Sequence, residues 1–232
     1  MKKKILGIVG GMGPMATVEC FRMIVENTMS SNDQDHIRIL IDNNTCVPDR
    51  TKAILYNGDS PVPFLVDSAN KLKSIGADFV IIPCNTSHYF IDEIKDKCSI
   101  YILNMIEETA KFIKNKNIKK VGLLATTGTV KGKIYEKVFD SYGISIVLPS
   151  EEEQQIIMDF IYNGVKAGNL KYNTSLYMNI VNKMFDNGAE TMVLGCTEIP
   201  VGMKMYNLSY PCVDAMKALA LASIQYAGYE VK

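Results

Sequence analysis

The stretch Gly76–His88, GADFVIIPCNTSH, decides how this chain is read. Asp78–Pro83 is an apolar run of strand length. It ends at Cys84, and Asn85, Thr86 and Ser87 follow at once. A strand that only fills a core has no use for small polar residues at its tip. A binding or catalytic site outside the carboxyl end of a strand does.

The stretch has an echo. GAETMVLGCTE (Gly188–Glu198) again sets Gly-Ala before an acid, then an apolar run, then a cysteine, 112 residues further on. GIVGGMG (Gly7–Gly13) is echoed by GLLATTG (Gly122–Gly128) at an offset of 115, and SIYILNM (Ser99–Met105) by SYPCVDA (Ser209–Ala215) at 110. Three matches, in order and at nearly one offset, predict two similar halves. Strand-like and helix-like patterns alternate throughout, with strands expected at Lys4–Val9, Ile37–Ile41, Ile100–Leu103, Lys120–Ala125, Ile144–Leu148 and Thr191–Leu194. Helices are expected at Pro14–Met29, Phe64–Ile75, Tyr89–Asp96, Ile106–Lys114, Lys131–Ser141, Leu176–Asp186 and Ala215–Tyr226, and Ser150 with Glu153 forms a capping-box signal for one more. Asp42–Ser60 reads as a loop. The alternation predicts an α/β fold of two lobes, each a mainly parallel sheet flanked by helices. The expected lobes are 1–98 with 209–232, and 99–208, related by a pseudo-twofold axis with the active site in the cleft between them. Cys84 and Cys196 would then face one ligand from opposite sides. A pair of equivalent acid/base groups on opposite faces of one carbon is what two-base racemisation or epimerisation needs.

Bulk properties narrow the function classes. The 232 residues are 47% hydrophobic, enough for a sizeable core, and 25 basic residues balance 25 acidic ones. A neutral chain gives no reason to expect nucleic acid or an anionic membrane as partner. Lys2–Lys4 resembles the basic start of a signal peptide, but the apolar run after it stops at Val9, too short for an export signal. The six cysteines, at 20, 46, 84, 98, 196 and 212, show no CxxC spacing. They read as reduced thiols of a cytoplasmic protein, with no metal site. Cys20, Cys46, Cys98 and Cys212 are expected to be small buried hydrophobes.

Other motifs admit more than one reading. Gly11-x-Gly13-x-x-Ala16 fits a dinucleotide fingerprint, but the first acid after the second strand, Asp42, lies 31 residues beyond Gly11 rather than about 20. The loop reads better as a wall of a small-ligand cleft. Arg50, in Pro48–Thr51, is either a solvated surface residue or a carboxylate clamp, and so is Lys166 between Gly164 and Gly168. His88 either pairs with Cys84, as in a thiol hydrolase, or supports the helix that begins there. Cys84 and Cys196 each precede a helix start, which would lower the thiol pKa from about 8.5 and present free N–H groups to a carboxylate.

The chain resembles the aspartate/glutamate racemase superfamily, and most closely its aspartate racemases. The resemblance covers nearly the whole chain and is carried by GIVGGMGPMAT, NNTCVPDRT, GADFVIIPCNTSH, NMIEETAK, LLATTGT, GVKAGNL and GCTE. It implies a cofactor-independent two-base enzyme of two α/β lobes, usually a homodimer, that interconverts L- and D-aspartate. It makes Cys84 and Cys196 the catalysts. Asn85, Thr86, Thr129 and Thr197 would line the substrate's α-carboxylate and amino group, and Arg50 and Lys166 its side-chain carboxylate. Met12 and Glu198 are counted with the substrate-binding residues. Ser87 departs from the family's common alanine. A glutamate-preferring or broader racemase is the alternative, and a thiol hydrolase or dinucleotide oxidoreductase the more distant one.

Overall fold

A computed structural model describes residues 3–232, so Lys2 of the basic run lies outside the described residues. The chain forms two compact units. The first runs to Glu108 and resumes at Met216; the second is Thr109–Ala215.

The first unit holds a four-stranded parallel sheet of β1 (Leu6–Gly10), β2 (Ile39–Asn43), β3 (Phe79–Ile81) and β4 (Tyr101–Leu103), in the order β2-β1-β3-β4. Its helices are α1 (Pro14–Asn27), α2 (Arg50–Leu55), α3 (Val62–Ser74), α4 (Ile91–Lys97) and the start of α5 (Met105–Asn115). The second unit repeats the design with β5 (Lys120–Ala125), β6 (Ser145–Val147), β7 (Thr191–Gly195) and β8 (Cys212–Asp214), in the order β6-β5-β7-β8. Its helices are α6 (Thr127–Lys131), α7 (Ile134–Phe139), α8 (Glu151–Asp159), α9 (Ser175–Asp186) and α10 (Glu198–Met205), and α11 (Ala215–Tyr226) returns the chain to the first unit. No described helix is long and apolar enough to cross a membrane.

The sequence repeat is a repeat of register. Gly7 pairs with Val80, and Val80 with Ile102. In the second sheet Gly122 pairs with Met192, and Met192 with Cys212. Offsets of 115, 112 and 110 are those that carry one pairing onto the other. The Gly-Ala-acid motif is explained by the same comparison. Gly76 and Gly188 end α3 and α9 at φ of 105° and 88°, a left-handed conformation in which a side chain would be strained. Ala77 and Ala189 then donate back to Leu72 and Met184. The acid closes the neighbouring strand: the Asp78 carboxylate accepts the Ile5 N–H (2.7 Å), and that of Glu190 accepts from Lys119 and Lys120 (2.8 and 2.9 Å).

The crossings between units fall after Glu108 and Ala215, not at 98/99 and 208/209. β4 and β8 are the last strands of their own sheets, so the chain leaves each unit only beyond them. The polar loop Asp42–Ser60 contains α2, whose six residues are too short to show a helical period and which Asp49 caps through the Lys52 N–H. The capping box at Ser150 and Glu153 is present with both its hydrogen bonds. After α8 the backbone widens into a π-helix, Phe160–Lys166, which periodicity did not foretell.

Candidate active site

In a parallel sheet, ligand-binding residues gather beyond the carboxyl ends of the strands. In the first unit the expected residues lie there. Cys84 follows β3 and is buried, as are Asn85 and Thr86. Met12 follows β1, packs in the same apolar cluster as Cys84, and accepts a hydrogen bond at Sδ from the Ser87 hydroxyl (3.3 Å). Arg50 opens α2, which packs against the 3-10 helix Thr86–Phe90 behind Cys84.

The glycine loop after β1 is closed by its own chain. The Thr17 hydroxyl accepts from the Gly11 N–H (2.9 Å) and donates to the Gly13 carbonyl (3.3 Å). Gly11, at φ 95°, lies against the backbone of Asn44, where a Cβ would collide. Gly11 is thus accounted for by chain packing. Arg50 folds back on its loop, with Nη1 donating to the carbonyls of Pro48 (2.9 Å) and Val47 (3.3 Å). Its Nε is buried and has no hydrogen-bond partner among the described residues.

His88 does not serve the Cys84 thiol. Its Nδ1 is 3.0 Å from the Cys84 carbonyl and its Nε2 is 3.1 Å from the Met105 N–H. Both ring nitrogens are taken by main chain, and burial pulls the imidazole pKa down to about 4. Helix support, the second reading of His88, is what the geometry gives, but the helix it caps is α5, at Met105.

In the second unit Cys196 follows β7 and is buried, as is Thr197. The Thr197 hydroxyl donates to Glu198 Oε2 (2.8 Å), and Lys166 Nζ lies 3.7 Å from Glu198 Oε1 and 4.9 Å from the centre of the Tyr162 ring. Two glycines bring these groups together. A Cβ on Gly202 of α10 would lie 2.5 Å from Phe160 and 2.7 Å from Val165 of the π-helix, and one on Gly164 would lie 3.2 Å from the hydroxyl of Tyr206, which caps α10. The bare backbones let the helix after Cys196 approach the one that ends in Lys166. Thr129, expected at the substrate, is fully buried, and its hydroxyl lies 3.1 Å from that of Thr126.

Three neighbours were not singled out from the sequence. Thr126 caps α6 by accepting the Thr129 N–H, a cap that ATTGT could have signalled. Gln154 donates to the Ala125 carbonyl at the end of β5 (2.9 Å). The buried Tyr135 feels Asp214 and Cys196, and burial first of all holds its hydroxyl pKa well above the ordinary value. No sequence spacing signals the last two, because each depends on a helix folding back over the sheet.

The remaining cysteines divide. Cys20 is fully buried and Cys98 half-buried, but Cys46 and Cys212 are exposed, against the expectation of four buried thiols. Cys46 lies in the loop before α2, and Cys212 begins an edge strand. No group of three or more His, Cys, Asp or Glu residues among the described residues is arranged to hold a metal.

Comparison with known proteins agrees with this architecture. The aspartate racemase of Picrophilus torridus superimposes with a TM-score of 0.86 at 37% identity, covering 99% of this chain and 96% of that one. The broad specificity amino-acid racemase RacX of Bacillus subtilis (strain 168) is 25% identical over 97% of this chain and 100% of its own. Glutamate racemase of Francisella tularensis subsp. tularensis SCHU S4, at 14% identity, TM-score 0.67 and coverage of 97% and 82%, shares the fold. Residues 9–222, which run from the end of β1 past β8 and include both cysteine turns, match the family described as Asp/Glu/Hydantoin racemase. With two register-matched parallel sheets and that match over most of its length, the chain belongs to the Asp/Glu/hydantoin racemase family.

Proposed function

We propose that this amino-acid racemase interconverts L- and D-aspartate by a two-base mechanism in which Cys84 and Cys196 are the acid/base pair. The observation that carries the reading is the matched register, which puts a buried cysteine beyond the third strand of each sheet. One thiolate takes the α-proton from one face of the substrate, and the opposite thiol gives a proton to the other. No atom is gained or lost, and the two thiols exchange protonation states. The carbanion that develops is stabilised by hydrogen bonds to the α-carboxylate. Asn85, Thr86, Thr129 and Thr197 are assigned to that carboxylate and the amino group, with Met12 and Glu198 beside them. Arg50 and Lys166 are assigned to the side-chain carboxylate. The buried, unpartnered Nε of Arg50 supports the first of these, since it is a donor without an acceptor.

Cys196 is assigned to L-aspartate and Cys84 to D-aspartate. Cys84→Ala and Cys196→Ala should each abolish racemisation. In deuterated water Cys84→Ala should still exchange the α-proton of L-aspartate, and Cys196→Ala that of D-aspartate, as read by proton NMR. Near wild-type racemisation by either variant would sink the two-base mechanism. Exchange of the opposite enantiomers would reverse the faces only. In this reading no cofactor takes part, and activity should survive exhaustive dialysis against a chelator. The expected homodimer is tested by light scattering of the purified chain.

A broader substrate range is the second reading. Lys166 is exposed and faces Glu198, so the cation intended for a substrate carboxylate already has a carboxylate beside it. Circular dichroism with both enantiomers of aspartate, glutamate, alanine and serine separates the two readings.

A further inference from the structure

The repeat ends at the cysteines, and the four residues after each of them differ. Four residues after Cys84 stands His88; four after Cys196 stands Pro200, which offers no side-chain donor or acceptor. The two thiols, alike in topology, are therefore supported differently.

A main-chain N–H only donates. The Met105 N–H, 3.1 Å from Nε2, makes that nitrogen an acceptor without a proton. The proton of the neutral imidazole is then on Nδ1, which donates to the Cys84 carbonyl 3.0 Å away. The tautomer is fixed by the backbone on both sides of the ring. The Cys84 N–H is also held, by the Ile82 carbonyl at 2.8 Å, and the His88 N–H donates to the Asn85 carbonyl at 3.0 Å. Both peptide groups of Cys84 are thus fixed, one of them by His88 alone among the described side-chain bonds. The ring is 4% exposed and has no nitrogen left for the thiol.

We propose that His88 is a positioning residue for Cys84, holding that cysteine's carbonyl and fastening its turn to the first residue of α5. The proposal rests on the two-base reading for its catalytic meaning. Proton transfer between thiol and α-carbon depends steeply on placement, and a misplacement on the order of 1 Å costs on the order of a hundredfold in rate. Because Pro200 stands at the equivalent place, loss of His88 should damage one face of the reaction and spare the other.

The test uses His88→Ala and His88→Gln, the second keeping an amide donor and acceptor, each combined with Cys196→Ala or Cys84→Ala. Exchange of an aspartate α-proton in deuterated water then reports one thiol at a time. With Cys84 as the remaining thiol, His88→Ala should slow exchange on the order of ten- to a hundredfold, and His88→Gln should restore part of it. With Cys196 remaining, exchange should change less than about twofold. Iodoacetamide labelling, read by mass spectrometry on the His88 single variants, supplies an arm that needs no racemase activity. Cys84 is buried, so loosening its turn should speed its alkylation relative to Cys196 by about threefold or more. Slower catalysis together with faster alkylation at the same thiol is the expected signature. Equal losses on both faces would overturn the proposal and leave His88 a part of the general scaffold. If neither cysteine variant exchanges any amino acid's α-proton, the assignment of one thiol to each face fails, and an unchanged alkylation ratio would then overturn the positioning role as well.

Discussion

Lys166 and Glu198 face each other at 3.7 Å, one at the end of a π-helix and the other at the first residue of the helix after Cys196. The Lys166 side chain is 40% exposed, so the pair adds under about 1 kcal/mol to stability. Its consequence lies in recognition. A carboxylate that reaches Lys166 must share the cation with Glu198.

Lys166→Ala should leave the thermal midpoint nearly unchanged and lower kcat/KM for aspartate by about one to two orders of magnitude, the equivalent of roughly 1.5–3 kcal/mol for a charge-assisted hydrogen bond. Alanine, if turned over, should lose far less. Steady-state assays on both substrates decide it, and equal losses would detach Lys166 from the side-chain carboxylate.

Arg50→Ala should give a similar loss, about ten- to a hundredfold for aspartate. Its guanidinium is anchored by Nη1 to two loop carbonyls, so part of the effect belongs to the loop. Arg50→Lys separates the parts: it keeps the charge but not the planar fork, and should recover little activity.

Gly202→Ala should cost about 1–3 kcal/mol, because the added methyl meets Phe160 and Val165 and the helices must part. The same displacement moves Cys196 relative to Lys166. Chemical denaturation measures the first effect, and the ratio of aspartate to alanine turnover the second. A fully stable Gly202→Ala protein with unchanged selectivity would contradict the close packing.

Acid should destabilise the protein through His88. Its pKa falls from 6.5 to about 4, by burial first and then by the charge of Lys95, against the hydrogen bonds to the Cys84 and Asn85 main chain. Between those values the unfolded chain holds the extra proton, so unfolding is favoured as pH falls. The contribution is whole above about pH 6.5 and lost progressively down to pH 4, amounting to roughly 3 kcal/mol. Urea melts of wild type and His88→Gln across that range should show this component of the slope only in the wild type.

Cys46→Ser and Cys212→Ser should keep activity largely intact, since both thiols are exposed and neither follows the third strand of its sheet. Alkylation should reach them before Cys84 and Cys196. Loss of racemisation that tracks their modification would oppose the assignment of the catalytic pair.

Much of this protein is determined along the chain itself. The register of two sheets is written as three offsets, because the two halves repeat one strand–helix design and matching motif residues take matching places in the two ladders. Gly-Ala-acid repeats because a left-handed helix end and a strand cap are local needs, met by residues next to one another. The placing of Cys84 and Cys196 beyond their strands follows from the same runs. Tertiary structure decided the rest. His88 became a clamp on main chain only when α5 brought the Met105 N–H to its second nitrogen, across 17 residues of sequence. Lys166 met Glu198 only because a π-helix turned it and Gly202 let the partner helix close in. Side-chain partnerships between elements depend on how helices seat over a sheet, and that is fixed by volumes and missing Cβ atoms on both surfaces at once. No window of one chain segment contains both.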